Sequence, residues 1–164
     1  MLTFTPVTEQ DAIVIVVLRK IVWETTYRGI YPDAMLEQFD FDWHMEKETQ
    51  HIKSLQYREF FIENNGLPIG YIIIKKTTEG IVLQSFYVIA DYQRQGIGRK
   101  AFEFVKAYCR EQGVTSFTLT CVPQNENARC FYEKMGGSVI GEDMQNEETW
   151  QNSVTYRFDT ASHF

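Results

Sequence analysis

The chain has 164 residues, 44% of them hydrophobic and 15% aromatic, with a formal net charge of -6. That length suits one domain over residues 1–164 with its own core, and the acidic balance argues against a nucleic-acid binder, which would carry a basic face. The three cysteines, Cys109, Cys121 and Cys130, form no CxxC pair, so they read as reduced thiols of a cytoplasmic protein, with no disulfide frame and no metal site.

In chain order, "LTFTPV" reads as a first strand. Thr8 and Asp11 have the spacing of a helix N-cap box, and a helix is expected to about Tyr27. Its β-branched residues make it a poor helix former by propensity alone. The apolar run "AIVIVVL" inside it is too short for a bilayer, which needs roughly 20 apolar residues. Glu9 and Asp11 precede it, so no signal peptide and no membrane segment are expected. "YPDAMLEQFD" and "WHMEKETQHIKSL" read as two more helical pieces with a break at 39–42. Asn65-Gly66 is a hairpin signal between the strands "YREFFIE" and "LPIGYIIIKK". "TTEG" turns the chain again, into "IVLQSFYVI".

After Gly98, apolar residues at Ala101, Phe102, Phe104, Val105, Tyr108 and Cys109 have helical spacing. "SFTLTCV" alternates as a strand. "NENARCFYEKM" reads as a helix stopped by Gly136-Gly137, and "SVIGED" and "NSVTYRF" close the chain as strands. The order is β-α-α-β-β-β-α-β-α-β-β, an α/β or α+β fold with a mixed sheet of about seven strands flanked by helices.

"YQRQGIGRK" sits between the third strand of the meander and the next helix. Helix N-termini present unpaired N–H groups and partial positive charge. Glycines let such a backbone close around an anion, usually a phosphate, and Arg94, Arg99 and Lys100 add charge-assisted contacts. A plain turn with a solvated basic patch is the simpler alternative. Gly96, Gly98 and Ala101 also satisfy G-x-G-x-x-A, but a dinucleotide fingerprint needs its glycine directly after the strand and an acid ending the next one. "IADYQRQ" intervenes and "TLTCVP" ends without an acid.

"VIADYQRQGIG" resembles the acyl-CoA-binding motif of the GCN5-related N-acetyltransferases, R/Q-x-x-G-x-G/A, with Gln93, Gly96 and Gly98 at its defined positions. "LQSFYV" is similar to that family's central strand. "NENARCFYEKMGG" resembles its second motif through Asn125, Ala128, Phe131, Tyr132 and Gly136, with Gly137 where a phenylalanine is usual. The likeness covers roughly residues 80 to 140. It implies a single domain around a mostly antiparallel sheet, acetyl-CoA as cosubstrate without a metal, and acetyl transfer to a primary amine by direct attack.

The resemblance also implies roles. Backbone amides of Arg94, Gln95, Gly96, Ile97, Gly98 and Arg99 would hold the pyrophosphate, with Gln93 supporting the loop. Backbone groups of Phe86, Tyr87 and Val88 would pair with the pantetheine arm. The N–H of Val88 would hold the developing oxyanion. Asn125 would bond the pantetheine arm or the neighbouring loop. Tyr132 would protonate the leaving thiolate as general acid; plain core packing is the alternative for an aromatic on a helix.

An alkyl amine has a pKa near ~10 and must lose a proton before it attacks. The central strand offers Gln84 and Ser85 but no carboxylate, leaving Glu24 as base or water ordered through Ser85. His44 and His51 read as surface helix residues. Trp23, Glu24, Tyr27 and Tyr31, in "VWETTYRGIYPDAM", look like the acceptor wall of small-molecule acetyltransferases; aromatics with a carboxylate suit a cationic amine, and helix packing is the alternative.

A small-molecule amine is the expected partner, without nucleic acid or membrane; a homodimer is left open. Competing readings are a protein or peptide N-acetyltransferase and a non-catalytic acyl-CoA sensor.

Overall fold

The computed structural model describes residues 1–161. The helices and strands come in the expected order: β1 (Leu2–Pro6), α1 (Ala12–Thr26), α2 (Asp33–Glu37), α3 (Phe41–Lys53), β2 (Tyr57–Asn64), β3 (Leu67–Thr77), β4 (Gly80–Val88), α4 (Ile97–Glu111), β5 (Ser116–Cys121), α5 (Glu126–Lys134), β6 (Ser138–Asp143) and β7 (Ser153–Asp159). The seven strands form one sheet in the order β1-β2-β3-β4-β5-β7-β6. Every neighbouring pair is antiparallel except β4 with β5.

Local chemistry sets several boundaries. The Asp11 carboxylate takes the Thr8 amide at 2.9 Å and the Thr8 hydroxyl at 2.8 Å, closing the turn that opens α1. Asn65 and Gly66 both have positive φ, 52° and 83°, as a type I′ hairpin turn requires. The break before α3 falls slightly earlier than its expected 39–42, because Asp40 caps α3 by accepting the Trp43 amide at 2.9 Å. Gly136, at φ 92°, ends α5 in the left-handed conformation.

The sheet has two dressed faces. On one, Ile15 and Leu18 of α1 pack on Phe61, Tyr71 and Ile73. Burial of this kind, not propensity, holds the β-branched α1 in place. On the other, Ala101, Phe102 and Val105 of α4 and Tyr132 of α5 pack with Ile62, Ile72, Ile74, Leu83, Phe117 and Phe158. Gly137 stands where the family motif has a phenylalanine. A Cβ added there would lie 2.8 Å from the Phe158 ring, which already occupies that space from β7.

His44 is not a surface residue. It is buried, stacked on Phe39 at 4.1 Å and edge-on to Trp23 at 5.1 Å. Beneath α1 and α3, Arg19 donates to Glu48 at 2.7 Å, and Glu48 is fully buried. Glu59, also buried, meets Glu48 carboxyl to carboxyl, which pushes Glu59 well above the usual carboxyl range, first through burial and then through Glu48. Among the described residues Glu48 Oε1 and both Glu59 oxygens have no hydrogen-bond partner, and a proton held on Glu59 would join two of these three.

Candidate active site

The site begins with a register fault. In β3–β4, Ile73 faces Ser85 while Ile74 faces Leu83, so Gln84 is an extra, bulged residue. Bulges bend their strand and raise its twist. Pairing of β4 with β5 extends only over Ile81 with Phe117 and Val82 with Thr118, and stops just before that bulge. Beyond it the two central strands separate.

The ladder then decides which backbone groups face the gap. The amide of Ile89 donates to the Ile69 carbonyl. Hydrogen-bonded and open pairs alternate in an antiparallel ladder, so Tyr87 and Ser85 pair with β3, and Phe86 and Val88 turn their polar groups toward the split. The Val88 carbonyl on that side accepts from Gln93 Nε2 at 2.7 Å. Gln93 thus braces the loop against the strand that feeds it.

The loop enters α4 through two left-handed residues, Arg94 at φ 62° and Gly96 at φ 79°. Gly96 offers no capping side chain, and the first α4 bond runs from the Lys100 amide to the Gly96 carbonyl at 3.3 Å. The first-turn amides of Ile97 and Gly98 face the side of the loop where an anion would sit. Gly98 has a packing reason as well: a Cβ there would lie 3.1 Å from the Phe131 ring of α5. The loop and the second motif touch through that contact.

The cleft between the separated strands is lined by Tyr27, Ser85, Phe86, Tyr87, Cys121 and Tyr132, among others, and by Asn125. Asn125 caps α5, its Oδ1 accepting the Ala128 amide at 3.3 Å. Burial, followed by the neighbouring Tyr87 and Cys121, raises the Tyr132 hydroxyl above the usual phenol range, so it stays protonated at neutral pH. Burial also pushes the Cys121 thiol up to about 11, which leaves it a poor nucleophile.

The Tyr27 side of the cleft is aromatic. Tyr27 stacks on Tyr31 at 4.3 Å, and its hydroxyl is hydrogen-bonded to that of Tyr87. Trp23 meets Tyr31 edge-on at 6.1 Å, and Trp150 meets it at 5.5 Å.

A family model for the GNAT acetyltransferases matches residues 17–137. The chain belongs to the GNAT acetyltransferase family. Among relatives of this GNAT chain is the [ribosomal protein bS18]-alanine N-acetyltransferase of Escherichia coli K12, 29% identical over 96 residues, a match covering 58% of this chain and 64% of that one. The chain thus aligns with somewhat under two thirds of that relative's length. The PaiA N-acetyltransferase of Thermoplasma acidophilum, solved with coenzyme A, superposes with a TM-score of 0.78 at 16% identity, covering 97% of this chain and 99% of that one. The spermidine/spermine N-acetyltransferase SpeG of Vibrio cholerae gives 0.70 at 16% identity, over 98% and 95%. At such identities the two structures establish the fold.

Of the residues named from the sequence, Tyr27, Ser85, Phe86, Tyr87, Asn125 and Tyr132 line the cleft; Tyr31 stacks on Tyr27, Trp23 meets Tyr31, and the 93–99 loop is tied to the end of β4 through Gln93 and Val88. Glu24 does not join them. It is exposed on α1 and outside the cleft lining. Two features were missed. Trp150, a lone aromatic in the polar stretch "NEETWQN", reaches Tyr31 from the β6–β7 connection, which nothing in residue order foretells. The side chain of Tyr87, read only for its backbone, carries the hydroxyl bonded to Tyr27.

Proposed function

We propose that this chain transfers the acetyl group of acetyl-CoA to the primary amine of a small molecule, by direct attack within a ternary complex. One observation carries the reading: β4 leaves β5 where Phe86 and the Val88 N–H turn backbone groups into the gap, immediately before the glycine loop and beside Tyr132. Acetyl-CoA supplies the activated thioester.

The chain's own groups do the rest. The amides of Ile97 and Gly98, with the left-handed turn at Arg94 and Gly96, fit a pyrophosphate. The backbone of Phe86 with the Val88 N–H fits an extended amide chain added beside the strand, the Val88 carbonyl being held by Gln93. The Val88 N–H points where oxygen gains charge, and one such donor is typically worth about 10²–10³ in rate. Tyr132, kept protonated by burial, donates to the departing sulfur. No helix among the described residues is long and apolar enough to cross a membrane, and reduced cysteines suit the cytoplasm.

A small amine is favoured because Trp150 packs edge-on against Tyr31, which adds an aromatic ring beside the Tyr27 end of the cleft. The aromatic wall of Tyr27, Tyr31 and Trp23 suits a cation. The second reading, a protein N-terminus, draws on the relative named for acetylating a ribosomal protein. The test is thiol release from acetyl-CoA with a panel of small amines beside a peptide library. Turnover with small amines alone supports the first reading, and turnover with peptides alone the second. Saturable acetyl-CoA binding with no thiol release across the panel would make the chain a sensor.

A further inference from the structure

The cleft between β4 and β5 is narrow for a site that holds a thioester. It encloses about 30 Å³, room for on the order of two water-sized groups. Its walls come from both faces of the sheet. Leu83, Leu119 and Tyr132 belong to the core packed with α4 and α5. Tyr87 packs with the core under α1, and Tyr27 follows the last turn of α1. Leu83, Leu119, Tyr27 and Tyr132 are each at most 9% exposed, so these walls are already packed from behind.

Two of the lining residues are bonded to each other: the Tyr27 and Tyr87 hydroxyls form a hydrogen bond. Their bridge is therefore part of the cleft wall, and it ties the end of α1 to β4. Tyr27 is fixed in three ways. Its carbonyl accepts the amides of Ile30 and Tyr31, both at 2.9 Å. Its ring stacks on that of Tyr31 at 4.3 Å. Its hydroxyl holds Tyr87, whose ring rests at 5.6 Å on that of the buried Tyr71. A wall held through backbone, ring and hydroxyl yields little to a larger guest. Extra methylenes pressed into such a site force side chains off their preferred rotamers.

Resting on the acetyl-transfer reading, we propose that the hydroxyl-bridged pair Tyr27–Tyr87 sets the acyl-chain length of the donor and holds the cleft to a two-carbon group. An acetyl group brings one methyl and one carbonyl, which match the room that the walls leave. Each further carbon of a propionyl or butyryl chain has to displace Tyr27 and break its bond to Tyr87, or push Leu83 and Leu119 into the core behind them. The leucines are backed by that core, whereas Tyr27 stands at the connection between α1 and α2, so Tyr27 is the residue that decides. It then serves both partners of the reaction: its ring is part of the aromatic wall with Tyr31, and its hydroxyl limits the donor.

Calorimetric titration with free CoA, acetyl-CoA and butyryl-CoA tests this and needs no acceptor. For the wild-type protein the Kd of butyryl-CoA should exceed that of acetyl-CoA by about 10-fold or more. In Tyr27→Ala, which removes ring and bridge together, the gap should close to under about 3-fold. Tyr27→Phe keeps the ring and loses only the bridge, so its gap should fall between the two. Free CoA reports on the phosphate loop in each protein. If Tyr27→Ala loses free CoA as well, its fold has failed, and the wild-type series with Tyr27→Phe decides. Equal wild-type affinities for acetyl-CoA and butyryl-CoA would overturn the chain-length role and leave acetyl transfer standing. So would a gap that persists unchanged in folded Tyr27→Ala, or in Tyr27→Phe where that variant decides. Binding of neither free CoA nor acetyl-CoA by the wild-type protein would overturn the acetyl-transfer reading, and this inference with it.

Discussion

Tyr132 combines burial in the core with a place on the cleft wall. Burial first, and then its neighbours, keep the phenol protonated, which suits a donor and excludes a base. Tyr132→Phe removes only the hydroxyl, so the core contacts with Phe102 and Phe158 remain. Turnover should fall by about 10²-fold, within the usual range for a general acid, while the Kd for acetyl-CoA stays unchanged. Steady-state kinetics beside calorimetry check this, and an unchanged kcat would take Tyr132 out of the mechanism.

Glu59 answers to pH in a defined sense. Its folded value lies above its unfolded one, so its contribution is complete below the ordinary carboxyl range and is lost as pH rises through and beyond it. His44 works oppositely. Burial lowers its value, so stability falls as pH drops below the ordinary imidazole range. His44 is common to wild type and Glu59→Gln, so it cancels in their difference. The Tm of Glu59→Gln should match that of the wild type near pH 5 and exceed it increasingly toward pH 9. A constant Tm difference across that range would mean that no proton is shared with Glu48.

At the scale of elements, the loop before α4 carries the most specific geometry. Gly96 at φ 79° occupies a region that costs an L-residue roughly 1–2 kcal/mol. No side chain crowds that position, so Gly96→Ala acts through the backbone. The fold should persist with a small fall in Tm, while acetyl-CoA affinity drops by about tenfold as the amides lose their alignment. Thermal denaturation with and without acetyl-CoA separates the two effects.

The element order was readable because its signals are local: the Asn65-Gly66 turn, the Thr8–Asp11 box, and the Gly136 stop each work within a few residues. The motif spacing of Gln93, Gly96, Gly98 and Tyr132 is local as well, and it located the loop before α4 and the tyrosine on α5. What stayed hidden needs distant partners. The Gln84 bulge exists only against the β3 register, and nothing in "VLQSF" announces it. The chain also returns from β6 to place β7 beside β5. Trp150 over Tyr31, Phe158 in the space beside Gly137, and His44 between Phe39 and Trp23 are likewise products of folding.

At the scale of the whole molecule, the sheet is two antiparallel blocks, β1 to β4 and β5 to β6, joined by a short parallel contact. The split between the blocks is where the fold exposes backbone polar groups that a central strand would otherwise spend on its neighbour. α4 and α5 close one end of the split and the α1–α2 aromatics face the other. An acidic chain of net charge -6 places Arg94, Arg99 and Lys100 around that loop, so its general field favours cations while the loop favours an anion.

The most direct measurement is calorimetric titration of the purified protein with acetyl-CoA, with NAD as control. The account predicts saturable acetyl-CoA binding below millimolar concentration and none for NAD. No acetyl-CoA binding in that range, or equal binding of both, would contradict the placement of a pyrophosphate on the 93–99 loop and of the thioester in the β4–β5 split.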